Sequence, residues 1–343
     1  MSHVPPRLCI AGPMVGRVPG SVTTQGEILA DHFAAEGYEV ISTSTVPNRF
    51  LRLADIAWTL LRSRHRIDIV MVQTFSGRSF VVADVASWLG RRLGFKVLFH
   101  LHGGALPEFM KRFPHWCRRV FNRADAMVAP SGFLAREVGN RGYRARIIPN
   151  SLNLADYEYR PRSSLRPNLF WMRSFHPIYN PALAVRVLSR LRSDGLDATL
   201  VMAGGDKGIR GETEELAQSL GVSGAVRFVG FLDMKDKARE GNAADIFINT
   251  NNVDNMPVAV VEACAMGLPV VSTAVGGIPD LLVDGETGLL VPVNDEARMA
   301  EAVERLMREP ALAARLSANG RRLAGQSSWV EVKKQWENTM AEL

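Results

Sequence analysis

Cysteine is scarce in this chain. Cys9, Cys117 and Cys264 are an odd number, far apart and without a C-x-x-C pair. That excludes a disulfide framework or a cysteine zinc site and fits a reducing compartment, with the three thiols packed as small apolar groups. Long apolar runs are lacking as well. No segment approaches ~18 uninterrupted apolar residues, so no membrane-crossing helix is expected. The start, MSHVPPRLCIAGPM, has prolines and too short an apolar run for a cleaved signal peptide. A cytoplasmic location is the expectation. The chain also has no D-x-D pair and no His/Asp/Glu cluster at ligand spacing, so no metal is expected. Gly12, Gly16 and Gly20 do not fit G-x-G-x-x-G. No zinc finger, RNP-like aromatic motif or basic arm points to nucleic acid.

What is present is an ordinary globular composition in a long chain. Hydrophobic residues make up 47% and charged residues 22% of 343 positions, more than one core usually organises, so two domains are expected. The net charge of +6 is uneven: residues 1–150 hold 20 Lys/Arg against 10 Asp/Glu, a balance of +10, which leaves −4 for the rest. An anionic surface is therefore a candidate partner of the first half. Two basic amphipathic stretches with aromatics lie there: LRLADIAWTLLRSRHR, with Trp58 and Arg52, Arg62, Arg64 and Arg66, and KRFPHWCRRVFNR, with Trp116, Arg118 and Arg119. Such helices can lie on an anionic membrane, or simply be half-buried with a solvated face.

Apolar runs of strand length alternate with helical patterns from end to end: RLCIAGP, TTQGEILADHFAAEG, YEVISTS, IDIVMVQT, KVLFHLHGG, and onward to ARIIPNS. This is the rhythm of a parallel sheet covered by helices on both faces. It breaks at a polar, proline-containing stretch and restarts at LFWMRSF. The expected fold is α/β with two doubly wound Rossmann-like domains, residues 1–153 and 169–325. Residues 154–168 are expected to form a linker, and 326–343 a final helix packing back toward the first domain. Ligands of such folds bind at the carboxyl ends of strands, here in the cleft between domains.

One segment concentrates chemistry. In NTNNVDNMPVAVVEACAMGLPVVST, residues 249–273, Asp254 precedes Pro257 and Glu262 follows inside the next helix. Pro257 suits a first helical turn. The free amides and positive dipole end of that helix form an anion site. Glu262 lies roughly 8 Å further along the axis, where a carboxylate can accept hydrogen bonds from ribose hydroxyls. Asp254, at the other end, could accept from a second set of hydroxyls, or serve only as a helix cap. Hydroxyls, phosphates and hydroxyls in that order outline a nucleoside-diphosphate sugar.

Residues 254–295, DNMPVAVVEACAMGLPVVSTAVGGIPDLLVDGETGLLVPVND, closely resemble the signature segment of the family 4 retaining glycosyltransferases of GT-B fold, the glycosyl transferases group 1. The family pattern has Glu, seven residues, Glu, then Gly-x-Pro-Val-Val and Gly-Gly-x-Pro. Here Glu262 is the second Glu, Gly267 to Val271 the next element, and Gly276-Gly277 precede Pro279, while Asp254 and Asp280 stand for longer acids. VRFVGFL resembles the strand and loop holding the donor base, around Phe231 and Leu232. HLHGG resembles the strand end carrying a His near the reacting sugar, His102. GPMVGRVPG resembles a glycine loop, with Gly16 the candidate against a donor phosphate or the acceptor. The likeness runs over roughly residues 8–310.

That resemblance implies a metal-independent, retaining transfer of a hexose from a nucleoside-diphosphate sugar to a saccharide or lipid-linked acceptor, with no further cofactor. Arg173 would hold the diphosphate. Glu262 would bind ribose, Asp254 and the amides of Asn255, Met256, Pro257 and Val258 would face the sugar and phosphate, and His102 would act from the other domain. Family members carry a Lys five residues after the Arg; this chain has Ile178. Lys207 is the candidate substitute, and Tyr179 and Asn180 are neutral alternatives. A nucleotide-sugar epimerase of the same fold, or a donor-binding protein with little turnover, are the competing readings.

Overall fold

The computed structural model describes residues 5–16 and 23–343. The chain divides into two compact units: Met1–Ser151 with Trp329–Leu343, and Leu152–Ser328. In the first, strands β1 (Leu8–Ala11), β2 (Val40–Thr43), β3 (Ile69–Thr74), β4 (Lys96–Leu101), β5 (Ala126–Ala129) and β6 (Arg146–Ile147) form a parallel sheet of order β2-β1-β3-β4-β5-β6. In the second, β7 (Asn168–Met172), β8 (Thr199–Ala203), β9 (Val226–Gly230), β10 (Ile246–Asn249), β11 (Val270–Thr273) and β12 (Leu289–Val291) form another, of order β12-β11-β10-β7-β8-β9.

The strand sequences read as unbroken apolar runs because helices cover both faces, and β1, β3 and β11 are buried at every position. Each sheet accordingly has an apolar cluster on either side. In the first unit one cluster contains Phe80, Phe99 and Phe121. The other contains Leu8, Phe33 and Met71 and receives Val332, Trp336 and Met340 from the helix Trp329–Ala341. That helix is fastened by Trp329 stacked on His32 at 4.5 Å and by Lys333 paired with Glu36. In the second unit Trp171, Phe175 and Leu188 lie in one cluster, Phe170, Phe247 and Val260 in the other.

Residues 154–168, expected as a linker, belong to the second unit. Tyr157, Arg162 and Leu165 are buried in it. The guanidinium of Arg162 donates to the carbonyls of Arg160, Gly241, Ala244 and Met266. A charge that looked like solvated loop from its neighbours in sequence is consumed by helix-end carbonyls. No helix among the described residues is long and apolar enough to cross a membrane.

Strand order reverses between β1 and β3 in the first sheet and between β7 and β10 in the second. Loops leaving those strands diverge to opposite faces and open a crevice at the carboxyl ends. Gly12 and Gln73 lie at the first such point, Arg173 and the 250–257 loop at the second.

Candidate active site

The loop after β10 is polar yet buried. Thr250, Asn251 and Asn255 are nearly inaccessible. Thr250 accepts from the Trp171 indole at 2.9 Å and donates to the Tyr179 carbonyl at 2.7 Å, which fixes the loop against the segment following β7. Asp254 sits in this frame. Its Oδ2 accepts from Asn251 Nδ2 at 2.6 Å and from the Arg173 guanidinium, and its Oδ1 accepts from the Asn255 amide at 2.7 Å. Both members of the Arg173–Asp254 pair are largely buried, and the guanidinium lies 4.2 Å from the centre of the Tyr179 ring. The backbone approach that seats Asp254 needs glycine: at Gly276, φ is +53° and a Cβ would stand 1.9 Å from the Asp254 carbonyl oxygen. Gly277 then donates to that oxygen at 3.3 Å. The Gly-Gly motif is thus part of the acid's support.

Asp254 is not a helix cap. The helix Val258–Ala265 begins after Pro257, and no side chain caps it. Pro257 was expected inside the first turn; it lies one place earlier, with ψ 109°, and its carbonyl accepts from the Val260 amide at 3.0 Å. The first amides of this uncapped helix, with the dipole behind them, face the end of the sheet.

Glu262, one turn into the helix, is buried and its Oε1 accepts two bonds, from Tyr157 Oη at 2.7 Å and Lys237 Nζ at 2.8 Å. Burial and the neighbouring carboxylate hold the Tyr157 phenol firmly protonated, well above its ordinary value. Tyr157 and Lys237 were not anticipated. They lie 105 and 25 positions from Glu262, and neither sits in the signature segment. Two carboxylates, each bound to a cation, therefore flank one helix N-terminus.

The other anticipated positions fall on the same unit with different degrees of engagement. Lys207 is exposed in the loop after β8, where its amide donates to the Phe175 carbonyl at 3.1 Å. Ile178 is exposed and its carbonyl accepts from the Asn252 amide at 2.7 Å. Asn180 is not a free donor: it caps the helix Pro181–Ser193 and bonds Asn252 and Asn294. Tyr179 is a platform for Arg173. Phe231 is exposed beyond β9 while Leu232 is buried beside it, and Met256 is buried and Val258 half-buried.

In the first unit His102 follows β4 and is buried. Its Nε2 is 2.7 Å from Gln73 Oε1, and its ring stacks on Phe75 at 4.7 Å and lies 4.1 Å from His100. Burial pushes the imidazole down to about 3, so it is neutral at physiological pH. Gln73, another residue the sequence did not single out, is pressed into place by Gly12, where a Cβ would stand 2.6 Å from the Gln73 Cβ. The Gly16 amide is occupied, donating to both oxygens of Glu27 at 2.8 and 3.0 Å while Glu27 closes a capping box with Thr24. A carboxylate in the chain thus takes the place foreseen for a phosphate. Gly20 lies outside the described residues.

The basic stretches resolve differently. Trp116 Nε1 donates to Asp84 Oδ2 at 2.7 Å, and Arg119 and Arg123 pair with the same carboxylate. That part of the second run is internal structure. On the helix Arg49–Arg62, by contrast, Phe50, Leu51, Trp58 and Leu61 are exposed.

Two family models match side by side: glycosyl transferases group 1 over residues 164–323 and glycosyltransferase family 4 over residues 22–156. The chain belongs to this family. A D-inositol 3-phosphate glycosyltransferase of Geodermatophilus obscurus is 28% identical over 232 residues, which cover 62% of this chain and 51% of that protein. The match spans about half the length of the curated relatives. Among solved structures, sucrose-phosphate synthase from Thermosynechococcus elongatus superposes with a TM-score of 0.80 at 19% identity, covering 98% of this chain and 99% of that one. Anabaena HepE in complex with UDP-glucose gives 0.76 at 16% identity, covering 98% and 99%. The fold is GT-B, two Rossmann-like domains each built on a parallel sheet.

Proposed function

We propose that this protein is a glycosyltransferase that moves a hexose-type sugar, with retention of anomeric configuration, from a nucleoside-diphosphate sugar to a saccharide or lipid-linked acceptor. The observation that carries the reading is the pair of buried acids, each held by a cation, on either side of an uncapped helix N-terminus at the β7/β10 switch point. In this form Arg173 and Lys237 neutralise Asp254 and Glu262. A donor would exchange these partners: diphosphate oxygens for the carboxylates around Arg173, ribose hydroxyls onto Glu262, sugar hydroxyls onto Asp254. The helix amides would complete the diphosphate site. Lys237 is then the second cation, in place of the Lys that Ile178 displaces.

Charge on the departing diphosphate grows in the transition state, and these fixed donors stabilise it there without a metal or further cofactor. Retention follows if the acceptor attacks from the side the diphosphate leaves: the new C–O bond forms as the old one breaks, and the leaving phosphate oxygen takes the acceptor proton. His102, neutral, orients a sugar hydroxyl. We place the protein in the cytoplasm, at the inner face of the membrane.

Calorimetric titration against a panel of nucleotide-sugars, starting with UDP-glucose because HepE binds it, tests the reading together with a turnover assay. Glu262→Ala should weaken donor binding about tenfold or more, the scale of a lost charged hydrogen bond. Asp254→Ala should lower kcat by about a hundredfold with a smaller effect on binding. Both variants matching the wild type would remove the site assignment. Donor binding without turnover onto any acceptor would leave a binding protein.

A further inference from the structure

The first unit also holds a large open groove. Its volume is ≈ 1190 Å³, and the helix Arg49–Arg62, the 76–82 segment and the helices Leu106–Arg112 and Pro114–Phe121 enclose it. Ligand clefts for small molecules run to about 1,000 Å³, so it exceeds what one sugar fills. Its near end starts at Ser76, directly after the Phe75 that stacks on His102.

Two properties of the lining point the same way. Phe50, Val81 and Phe113 line it and are 77%, 37% and 39% exposed, an apolar surface left open by the described residues. Arg49, Arg78 and Arg112 line it as well, all exposed and without a carboxylate partner among the described residues. The lining has one acid, Glu108, which reaches Lys111 at 3.7 Å. Arg7, Arg66, Arg91 and Arg123 of the same unit are paired with carboxylates, while Arg62, Arg64, Arg92 and Arg118 also lack such a partner among the described residues; what marks the groove is three of them gathered around one apolar lining. Unpaired guanidinium groups around uncovered aromatics complement a ligand that is anionic at one end and apolar along the rest. The outer face of the helix Arg49–Arg62 continues the pattern, with Phe50, Trp58 and Leu61 exposed at helical spacing, as on a helix lying at a lipid surface.

We propose that this groove binds the acceptor, and that the acceptor is a phosphate-bearing lipid: its phosphate lies among Arg49, Arg78 and Arg112 and its chain along Phe50, Val81 and Phe113. This rests on the glycosyltransferase reading for what happens to the lipid, but not for its binding. The phosphate anchors the head group at the end of the groove where His102 stands, and the chain leads out toward the exposed helix.

The test uses the full chain and dodecyl phosphate below its micelle concentration, with inorganic phosphate and dodecyl maltoside as controls. Saturable binding of dodecyl phosphate is expected, with both controls at least about tenfold weaker. A triple variant, Arg49→Gln with Arg78→Gln and Arg112→Gln, should lose about tenfold, and so should Phe50→Ser with Phe113→Ser. All five side chains are exposed, but Phe113 also packs on Phe109 and Trp116, so the melting temperature of each variant is measured to show that the fold is kept. Flotation should capture the protein on phosphatidylcholine vesicles only when phosphatidylglycerol is included, less so for either variant. Equal binding of inorganic phosphate, equal binding of dodecyl maltoside, or wild-type affinity in both variants would each overturn the proposal. Nucleotide-sugar binding is measured on the same proteins and should not change. Lipid binding with no donor bound by any variant would end the glycosyltransferase reading and leave the groove standing. Turnover onto soluble sugars with no binding of dodecyl phosphate would do the reverse.

Discussion

Gln73 and His102 share one hydrogen bond of 2.7 Å, and its direction decides what the imidazole can offer a substrate. With Gln73 Oε1 as acceptor, Nε2 carries the proton and Nδ1 is left with a lone pair, so the imidazole can accept a hydrogen bond there. Gly12 and Gly26 crowd the Gln73 side chain from two sides, which holds the amide still. Gln73→Leu should release the tautomer. We expect kcat to fall about tenfold with donor affinity unchanged, and the nitrogen chemical shifts of His102 to lose the pattern of a single tautomer. Unchanged kcat and an unchanged tautomer would show that Gln73 only fills space. His102, Asp254 and Glu262 could be found in the sequence because the family motif marks them. Gln73, Tyr157 and Lys237 could not, because their meaning lies in contacts made across the fold.

The helices that carry Lys237 and Glu262 are joined at their carboxyl ends by Arg162. Its fork collects Gly241 and Ala244 carbonyls from the end of one helix and the Met266 carbonyl from the end of the other. A cation at two helix C-termini is favoured by both dipoles. Burial lowers its pKa only to about 10, so it stays charged at neutral pH. Arg162→Ala would leave those carbonyls buried and unpaired, at a cost of about 3–5 kcal/mol. Urea unfolding of the second unit measures it. Arg162→Lys should recover little, since one ammonium cannot reach carbonyls lying in a planar fork. The strands and most helices were legible from apolar periodicity. The 154–168 segment was not: prolines and charges announce a loop, and only the packed structure shows its arginine bonding helix ends.

Acid should act unevenly on the two units. His100 and His102 are both buried in the first, with burial as the main cause holding each below the ordinary histidine value of 6.5. The unfolded chain therefore takes up protons below pH 6.5 that the folded unit refuses. Their contribution is complete above that value and is lost as pH falls toward 3, by up to about 1.4 kcal/mol per pH unit for each histidine. Between pH 7 and 5, hydrogen exchange should show amides of the first unit losing protection before those of the second. His100→Phe should flatten the dependence. Equal sensitivity of both units would contradict it.

By itself the sequence determined the two-domain α/β architecture, the GT-B family and the place of the two acids. Strand and helix periods are local, and the signature segment is contiguous. Tertiary structure decided the rest. It pairs Asp254 with Arg173 and Glu262 with Lys237 and Tyr157, occupies Gly16 with Glu27, spends Trp116 and Arg119 on Asp84, and leaves Arg49, Arg78 and Arg112 without a carboxylate partner among the described residues. Whether a charge is satisfied depends on residues brought within about 3 Å by folding, and no local pattern encodes that distance.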